Sequence, residues 1–558
     1  MNAALDAIRD GMSITAGGFA HSHQPMALLR ALIKRGIRNI TLMGVAECWV
    51  AEFLAAANAL DRSYFSNFMF EGFGRCRRFS EGVESGAIEV EDHSHFGMVN
   101  RLGAAAMGLP FMPMRAMSGT DILAKPGFEE PQAKSRLIES PFDARDRVLA
   151  VSPLKPDVAI IHAARADEQG NVQLYGPTSV IVEQARAASH VIVSVEEIVD
   201  TSVIRRHPEF TVLPGLLVDA VVHAPFGAHP LGNFGYYQHD HAHLEDYYDA
   251  SRTPQSTQAF LDEWIHAPAD HWAYLDKIGI ARLMKLRVDP RWATFRRRAF
   301  MADIKPGIQP DEYMAVAAAR EIRNGDVAFI GTGLPMVAAY LAKATHAPDV
   351  KLVFESGIVD PQPRELASGV GDYRLVHGAP MIAGTSYALS LLQGGVIDLG
   401  FLGTAEIDAY GNLNSTVIGD YRKPKVRLPG SGGANDIASM AGRFVVIARL
   451  DKRRFVQKLQ YTTTPGYLDG PGAREAAGLP GAGPVRVITD LAVLGFDPSS
   501  LRMRIDALYP GVSADDVQSR CGFELGVPDT LETFTAPTDE QLRLLRHVID
   551  PDGVYLGA

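Results

Sequence analysis

Cysteine is scarce: Cys48, Cys76 and Cys521 are the only three in 558 residues. They stand far apart with no CxxC spacing, which argues against a zinc site or a disulfide framework and fits a reducing compartment. Long apolar runs are missing as well. No stretch approaches the roughly 20 apolar residues that span a bilayer. The opening "MNAALDAIRDGMSITAGG" lacks the basic region and apolar core of a secretory signal. Positive charge is in deficit, with 54 Lys and Arg against 65 Asp and Glu, a net charge of -11. Nucleic acid and anionic membranes select the opposite balance, so neither is expected as a partner. These absences predict a cytoplasmic protein.

What is present is an ordinary globular composition, 47% hydrophobic and 21% charged, in a chain too long for one core. It contains an internal repeat. "DGMSITAGGFAHSHQPMALLRALI" (10–33) and "NGDVAFIGTGLPMVAAYLA" (324–342) share a polar-Gly turn, a short apolar strand, a Gly-rich turn, a Pro and a helical apolar pattern. A second strand follows each, "NITLMGV" (39–45) and "VKLVFES" (350–356). "DVAIIHAARADEQGNVQ" (157–173) matches "DLGFLGTAEIDAYGNLN" (398–414), and "HVIVSV" (190–195) matches "RFVVIA" (443–448). Three matches in one order point to duplication and fusion of an α/β unit. Runs such as "VAII" and "FVVI" are apolar on both faces, as in parallel strands covered by helices. The predicted fold is α/β, two tandem related domains with mainly parallel sheets. The expected division is 1–285, a linker at 286–312 with Pro punctuation, and 313–558. The aromatic and His-rich stretch 236–279 reads as helices wrapped on the first domain.

Within this frame "KLVFESGIVD" (351–360) runs an apolar strand straight into Glu355. In open α/β sheets ligands bind beyond the carboxyl ends of strands. The first repeat carries Val45 at the matching place, so the scaffold does not require an acid there. Residue pattern alone leaves Glu355 either a paired structural acid or a reagent. Two glycine turns open helices in the same half, Gly331-Thr332-Gly333-Leu334-Pro335 and Pro429-Gly430-Ser431-Gly432-Gly433-Ala434-Asn435-Asp436. Backbone N–H groups in such turns stabilise anions. Neither is followed by GK[ST] and neither is a dinucleotide fingerprint. His239, His241 and His243 alternate in "HDHAH", but no acid or Cys completes a ligand set, so no metal is expected. Glu47, two positions past the matching strand end, reads as structural.

These motifs resemble a family. "GTGLP" (331–335), "FESG" (354–357), "AEIDAYGNLNSTVIGDY" (405–421) and "KVRLPGSGGANDIAS" (425–439) are similar to the β subunit of the family I CoA-transferases, most closely the glutaconate CoA-transferase branch. "DGMSITAGGF" (10–19), "NRLGAAAMGLPFMP" (100–113) and "GTDIL" (119–123) resemble its α subunit. One departure is His23-Gln24-Pro25, where the family has Gly-x-Pro. The resemblance implies a transferase with both subunits fused and coenzyme A as substrate, moved from an acyl-CoA to a small carboxylic acid. Family precedent suggests a homodimer or homotetramer. The resemblance makes Glu355 the nucleophile, passing through an acyl anhydride and a glutamyl-CoA thioester. It assigns oxyanion and CoA contacts to Thr332, Gly333, Gly432, Gly433 and Ala434, and acyl contacts to Ser118, Gly119 and Arg101, with Arg115 added for a dicarboxylate; for each Arg, pairing with a local acid stands as the alternative. Lys423, Lys425 and Arg427 read as a solvated charged strand. A related hydrolase branch lacks the glutamate, so Glu355 favours transfer over thioester hydrolysis. The remaining alternative is a CoA- or phosphate-ligand-binding protein without turnover.

Overall fold

The structure is a computed structural model describing residues 1–125, 127–128, 134–143, 146–288 and 306–557. In the first half seven parallel strands form the spine of a sheet: β1 (Ser13–Ala16), β2 (Ile40–Met43), β3 (Leu60–Phe65), β4 (Glu89–Asp92), β5 (Val158–Asp167), β6 (His190–Val199) and β7 (Ala220–His223). Their order is β7-β6-β5-β1-β2-β3-β4. The second half has β8 (Val327–Ile330), β9 (Lys351–Phe354), β10 (Leu399–Leu402), β11 (Arg443–Ile447) and β12 (Pro484–Ile488), ordered β9-β8-β10-β11-β12 and again parallel. Short antiparallel strands extend this sheet at both edges.

The repeat seen in sequence recurs in topology. Neighbours β6-β5-β1-β2 in one sheet correspond to β11-β10-β8-β9 in the other. In each, the chain leaves the central strand to one side and later returns on the other. That reversal opens a crevice beyond the strands' carboxyl ends. The interior of β5, Ala159 to Ala164, is fully buried on both faces, as a helix-covered parallel strand requires.

Six helices matter for the site: α1 (Met26–Lys34), α2 (Cys48–Ala56), α3 (His95–Ala106), α4 (His241–Ala250), α5 (Leu334–Ala344) and α6 (Ala434–Met440). The His-rich stretch wraps the first half as expected: Tyr247 of α4 stacks on Phe53 of α2 at 4.5 Å. The linker expected at 286–312 falls mostly on 289–305, outside the described residues, and a helix already begins at Pro310. Among the described residues no helix is long and apolar enough to cross a membrane. All three cysteines are buried and free.

The halves meet through the second glycine turn. The Phe68 N–H donates to Pro429 O (3.0 Å), Gly432 N–H to Ser66 O (3.1 Å) and His95 N–H to Gly432 O (3.1 Å). Gly430 adopts φ +107°, and a Cβ there would strike the Ser66 carbonyl, so only glycine lets the two backbones approach this closely. Beside the turn, Arg427 is fully buried and grips Asp92, the last residue of β4, through both carboxylate oxygens (3.0 and 2.5 Å). This corrects the reading of Arg427 as part of a solvated strand: Lys423 and Lys425 are exposed, but Arg427 joins the two halves.

Candidate active site

Glu355 projects from the carboxyl end of β9. Leu352, Val353 and Phe354 before it are at most 1% exposed. Burial of three such side chains, roughly 1.5–3 kcal/mol each, holds the strand end rigidly. The chain then turns: Gly357, at φ +105°, donates its N–H to Phe354 O (2.9 Å), and Ser356 Oγ donates to Val370 O (2.6 Å). The side chain is 16% exposed.

Its partner comes from the other half. Asp92 ends β4, His93 and Ser94 follow, and His95 is the first residue of α3. Ser94 caps this helix by accepting the Gly97 N–H (3.0 Å), while Asp436 of α6 accepts the Phe96 N–H (3.0 Å). Two orphan amides of α3 are thus satisfied, one by each half. So fixed, His95 places Nδ1 2.7 Å from Glu355 Oε1. Its ring lies edge-on to Phe19 (5.8 Å), and Nε2 is buried with no hydrogen-bond partner. Among the described residues nothing donates to Glu355 Oε2.

The surroundings are rich in carboxyls. Burial works against the His95 imidazolium, but Glu355, then Asp436 and Glu47, outweigh it and raise its pKa above the ordinary histidine value. Burial pushes Asp436 up to about 7 despite hydrogen bonds from Ser94 and Phe96. Burial likewise lifts Glu47 to about 7 and Glu71 to about 8, the Glu355 charge adding to the latter. Glu71, with His21 and Ser22 of the first half and Gly369, Asp372 and Tyr373 of the second, lines a pocket between the halves.

The expected glycine contacts separate into two groups. A Cβ at Gly433 would fall on Glu355 Oε1, with Cδ at 3.1 Å and Oε2 at 3.9 Å, so Gly433 packs on the carboxylate. At Gly331 a Cβ would meet nothing nearer than Phe401 O at 3.9 Å, and at Gly333 nothing nearer than Pro335 at 3.9 Å. The turn holding Thr332 therefore borders open space. It lies beside Glu355 because Ile330 pairs with Phe354. Two of the expected amide donors are already spent: Gly432 N–H on Ser66 O and Ala434 N–H on Ser431 O (3.2 Å). The Gly333 amide faces the Tyr555 hydroxyl.

The first-half candidates are not gathered on Glu355. Arg101 is buried and bonded to Glu91 (2.7 Å), His93 (2.8 Å) and Ser152 (3.0 Å to O), the pairing with a local acid that stood as its alternative. Arg115 pairs with Asp146 (2.8 Å). Ser118 is buried, and Gly119 packs against Leu468 of the second half. Glu47 accepts the Val45 and Ala46 amides and the Gln184 side chain, a structural role. His239 and His241 keep their ring centroids 6.0 Å apart, beside His21 and Glu245 respectively, while His243 packs on Trp264. Among the described residues no group of three or more His, Cys, Asp or Glu is placed to hold a metal.

Sequence reasoning missed His95. The signal available was its position: the first helical residue after a Ser cap, immediately beyond a strand's carboxyl end.

The family profile described as Coenzyme A transferase matches residues 1–224 and 311–520. The chain is 44% identical over 237 residues to the B-type polypeptide of 3-oxoadipate CoA-transferase from Pseudomonas knackmussii, covering 42% of this chain and 91% of that protein. It is 34% identical over 294 residues to the A-type polypeptide of glutaconate CoA-transferase from Acidaminococcus fermentans, covering 51% of this chain and 92% of that protein. An acyl-CoA transferase structure from E. coli O157:H7 shares the fold across 96% of this chain and 94% of its own, at TM-score 0.67 and 18% identity. Sequences that are separate A-type and B-type polypeptides elsewhere are joined here, and this chain belongs to the coenzyme A transferase family.

Proposed function

We propose that this enzyme moves CoA from an acyl-CoA to a small carboxylic acid by ping-pong catalysis, with Glu355 as nucleophile. The observation that carries the reading is the Glu355 carboxylate itself. It stands at a strand's carboxyl end in the crevice between the halves, with Oε1 hydrogen-bonded and packed and Oε2 open. A carboxylate is a weak nucleophile, but a thioester has a good leaving group in thiolate. Attack gives an acyl-glutamyl anhydride. The thiolate then displaces the acid and leaves a Glu355 thioester, and an incoming acid reverses both steps. Burial of the site between two halves shields the anhydride from water. The open turn at Gly331-Thr332-Gly333 offers room for the thioester beside Glu355.

The relatives named for glutaconate and 3-oxoadipate make dicarboxylic acids the first acceptors to test. Domains spanning 1–285 and 313–558, and assembly as a homodimer or homotetramer, belong to the same proposal.

The test is to incubate the protein with an acyl-CoA, reduce with borohydride and map the product by peptide mass. A reduced adduct at Glu355, absent from Glu355→Ala, is expected. CoA release that proceeds equally without an acceptor acid would replace transfer by hydrolysis, and no adduct at Glu355 would remove the covalent step.

A further inference from the structure

We propose that His95 holds Oε1 of Glu355 through the whole reaction, leaving Oε2 as the attacking oxygen and donating its Nδ1–H to the oxyanion that forms on Oε1. This rests on the glutamyl-thioester reading above.

The two carboxylate oxygens are not equivalent. Oε1 lies 2.7 Å from Nδ1, and it is the oxygen on which a Gly433 Cβ would fall. Oε2 stands 3.9 Å from that point and accepts no hydrogen bond from a described residue. The imidazole is equally committed. It is buried, its backbone is pinned to Gly432 O, and among the described residues Nε2 has no partner and the ring's one polar contact is Glu355. The amides that sequence assigned to the oxyanion at Gly432 and Ala434 already have acceptors. A side-chain donor is in place where those amides are engaged.

The electron bookkeeping follows from that geometry. Oε2 gives a pair to the acyl carbonyl carbon, the C–S bond breaks, and CoA leaves as thiolate with the anhydride joined through Oε2. Thiolate attack on Glu355 Cδ then pushes the Cδ=Oε1 pair onto Oε1. That oxygen already faces Nδ1–H, so the donor needs no reorganisation as charge appears. Collapse re-forms Cδ=Oε1, breaks Cδ–Oε2, and Oε2 departs in the product acid. His95 neither gains nor loses a proton.

Two variants test this. Phe at 95 keeps a buried ring without the donor. Asn keeps an N–H close to where Nδ1 stands. Relative to wild type, His95→Phe should lose on the order of 10²–10³-fold in transfer rate and trap little Glu355 thioester, while His95→Asn should recover most of both. A second readout serves even if the Phe variant misfolds. Wild-type transfer should fall on the alkaline side as the imidazolium is lost, and His95→Asn should lack that limb. The groups facing His95 are Glu355, Asp436 and Glu47, with Glu71 facing Glu355 in turn. All are present in both proteins; removing the His95 charge raises the Asp436 pKa, so the comparison is read on the loss of the wild-type limb alone. A folded Phe variant as active as wild type, an Asn variant no better than Phe, or an unchanged alkaline limb in Asn overturns the His95 assignment while the Glu355 adduct stands. No adduct in wild type overturns both.

Discussion

Replacing Gly433 with alanine is a one-carbon test of the active site. Gly433 sits at φ -80° and ψ 0°, an ordinary helical conformation that alanine adopts without strain. The backbone should therefore fold unchanged. The new methyl would lie 2.0 Å from Glu355 Oε1 and 3.1 Å from Cδ. Reaching ordinary contact, 3.4 Å or more, moves the oxygen by over an ångström. Glu355 is a flexible side chain at its far end, so it swings away at little cost in stability. A shift that large ends the 2.7 Å hydrogen bond to His95. Misplacing a reacting group by about 1 Å costs about 10²-fold in rate. The matched control is Gly103→Ala inside α3, where the methyl meets nothing nearer than Met112 at 3.8 Å. The assay pairs steady-state CoA transfer with thermal melting. The expected result is a roughly hundredfold loss in Gly433→Ala at an almost unchanged melting temperature, and near-normal activity in Gly103→Ala. Full activity in Gly433→Ala would refute the packing of Gly433 on a reacting carboxylate.

Two further predictions concern the junction and its pH dependence. Arg427→Ala removes the ion pair of the buried Asp92 and leaves Tyr421 as its side-chain donor, and should cost about 3 kcal/mol in urea unfolding; replacing both partners with apolar residues should cost less, and a single variant as stable as wild type would contradict the pairing. Burial alone would raise the Asp372 pKa, but Arg374 above all, with His239, brings it down to about 2. A depressed carboxylate stabilises the fold above its unfolded pKa of 3.8 and loses that contribution as pH falls toward 2. It amounts to about 2 kcal/mol, so urea midpoints of wild type and Asp372→Asn should converge on acidification; parallel curves would refute the linkage.

Much of the architecture was legible because it rests on local signals. Glycine turns, β-branched runs and helical patterns recur in the two halves, and the matching strands take matching places in their sheets. Glu355 was legible for the same reason, as an acid where the sister repeat has Val45. What escaped reading depends on pairing between distant segments. His95 lies 260 positions from Glu355, and in "EDHSHF" only its place after the Ser94 cap sets it apart from His93, which instead serves Glu91 and Arg101. Arg427 looks solvated beside Lys423 and Lys425 until Asp92 of the other half is brought against it. Glycine composition marked the turn at 429–436 but not which of its amides docking would consume.

The hydrogen bond between His95 and Glu355 joins the two halves of one polypeptide. Where A-type and B-type sequences are separate chains, such a pair exists only while the two stay associated. Here covalent connection gives each half an effective concentration for the other on the order of millimolar. Pairing of Glu355 with His95 is thereby independent of dilution, and of any need to match the expression of two genes.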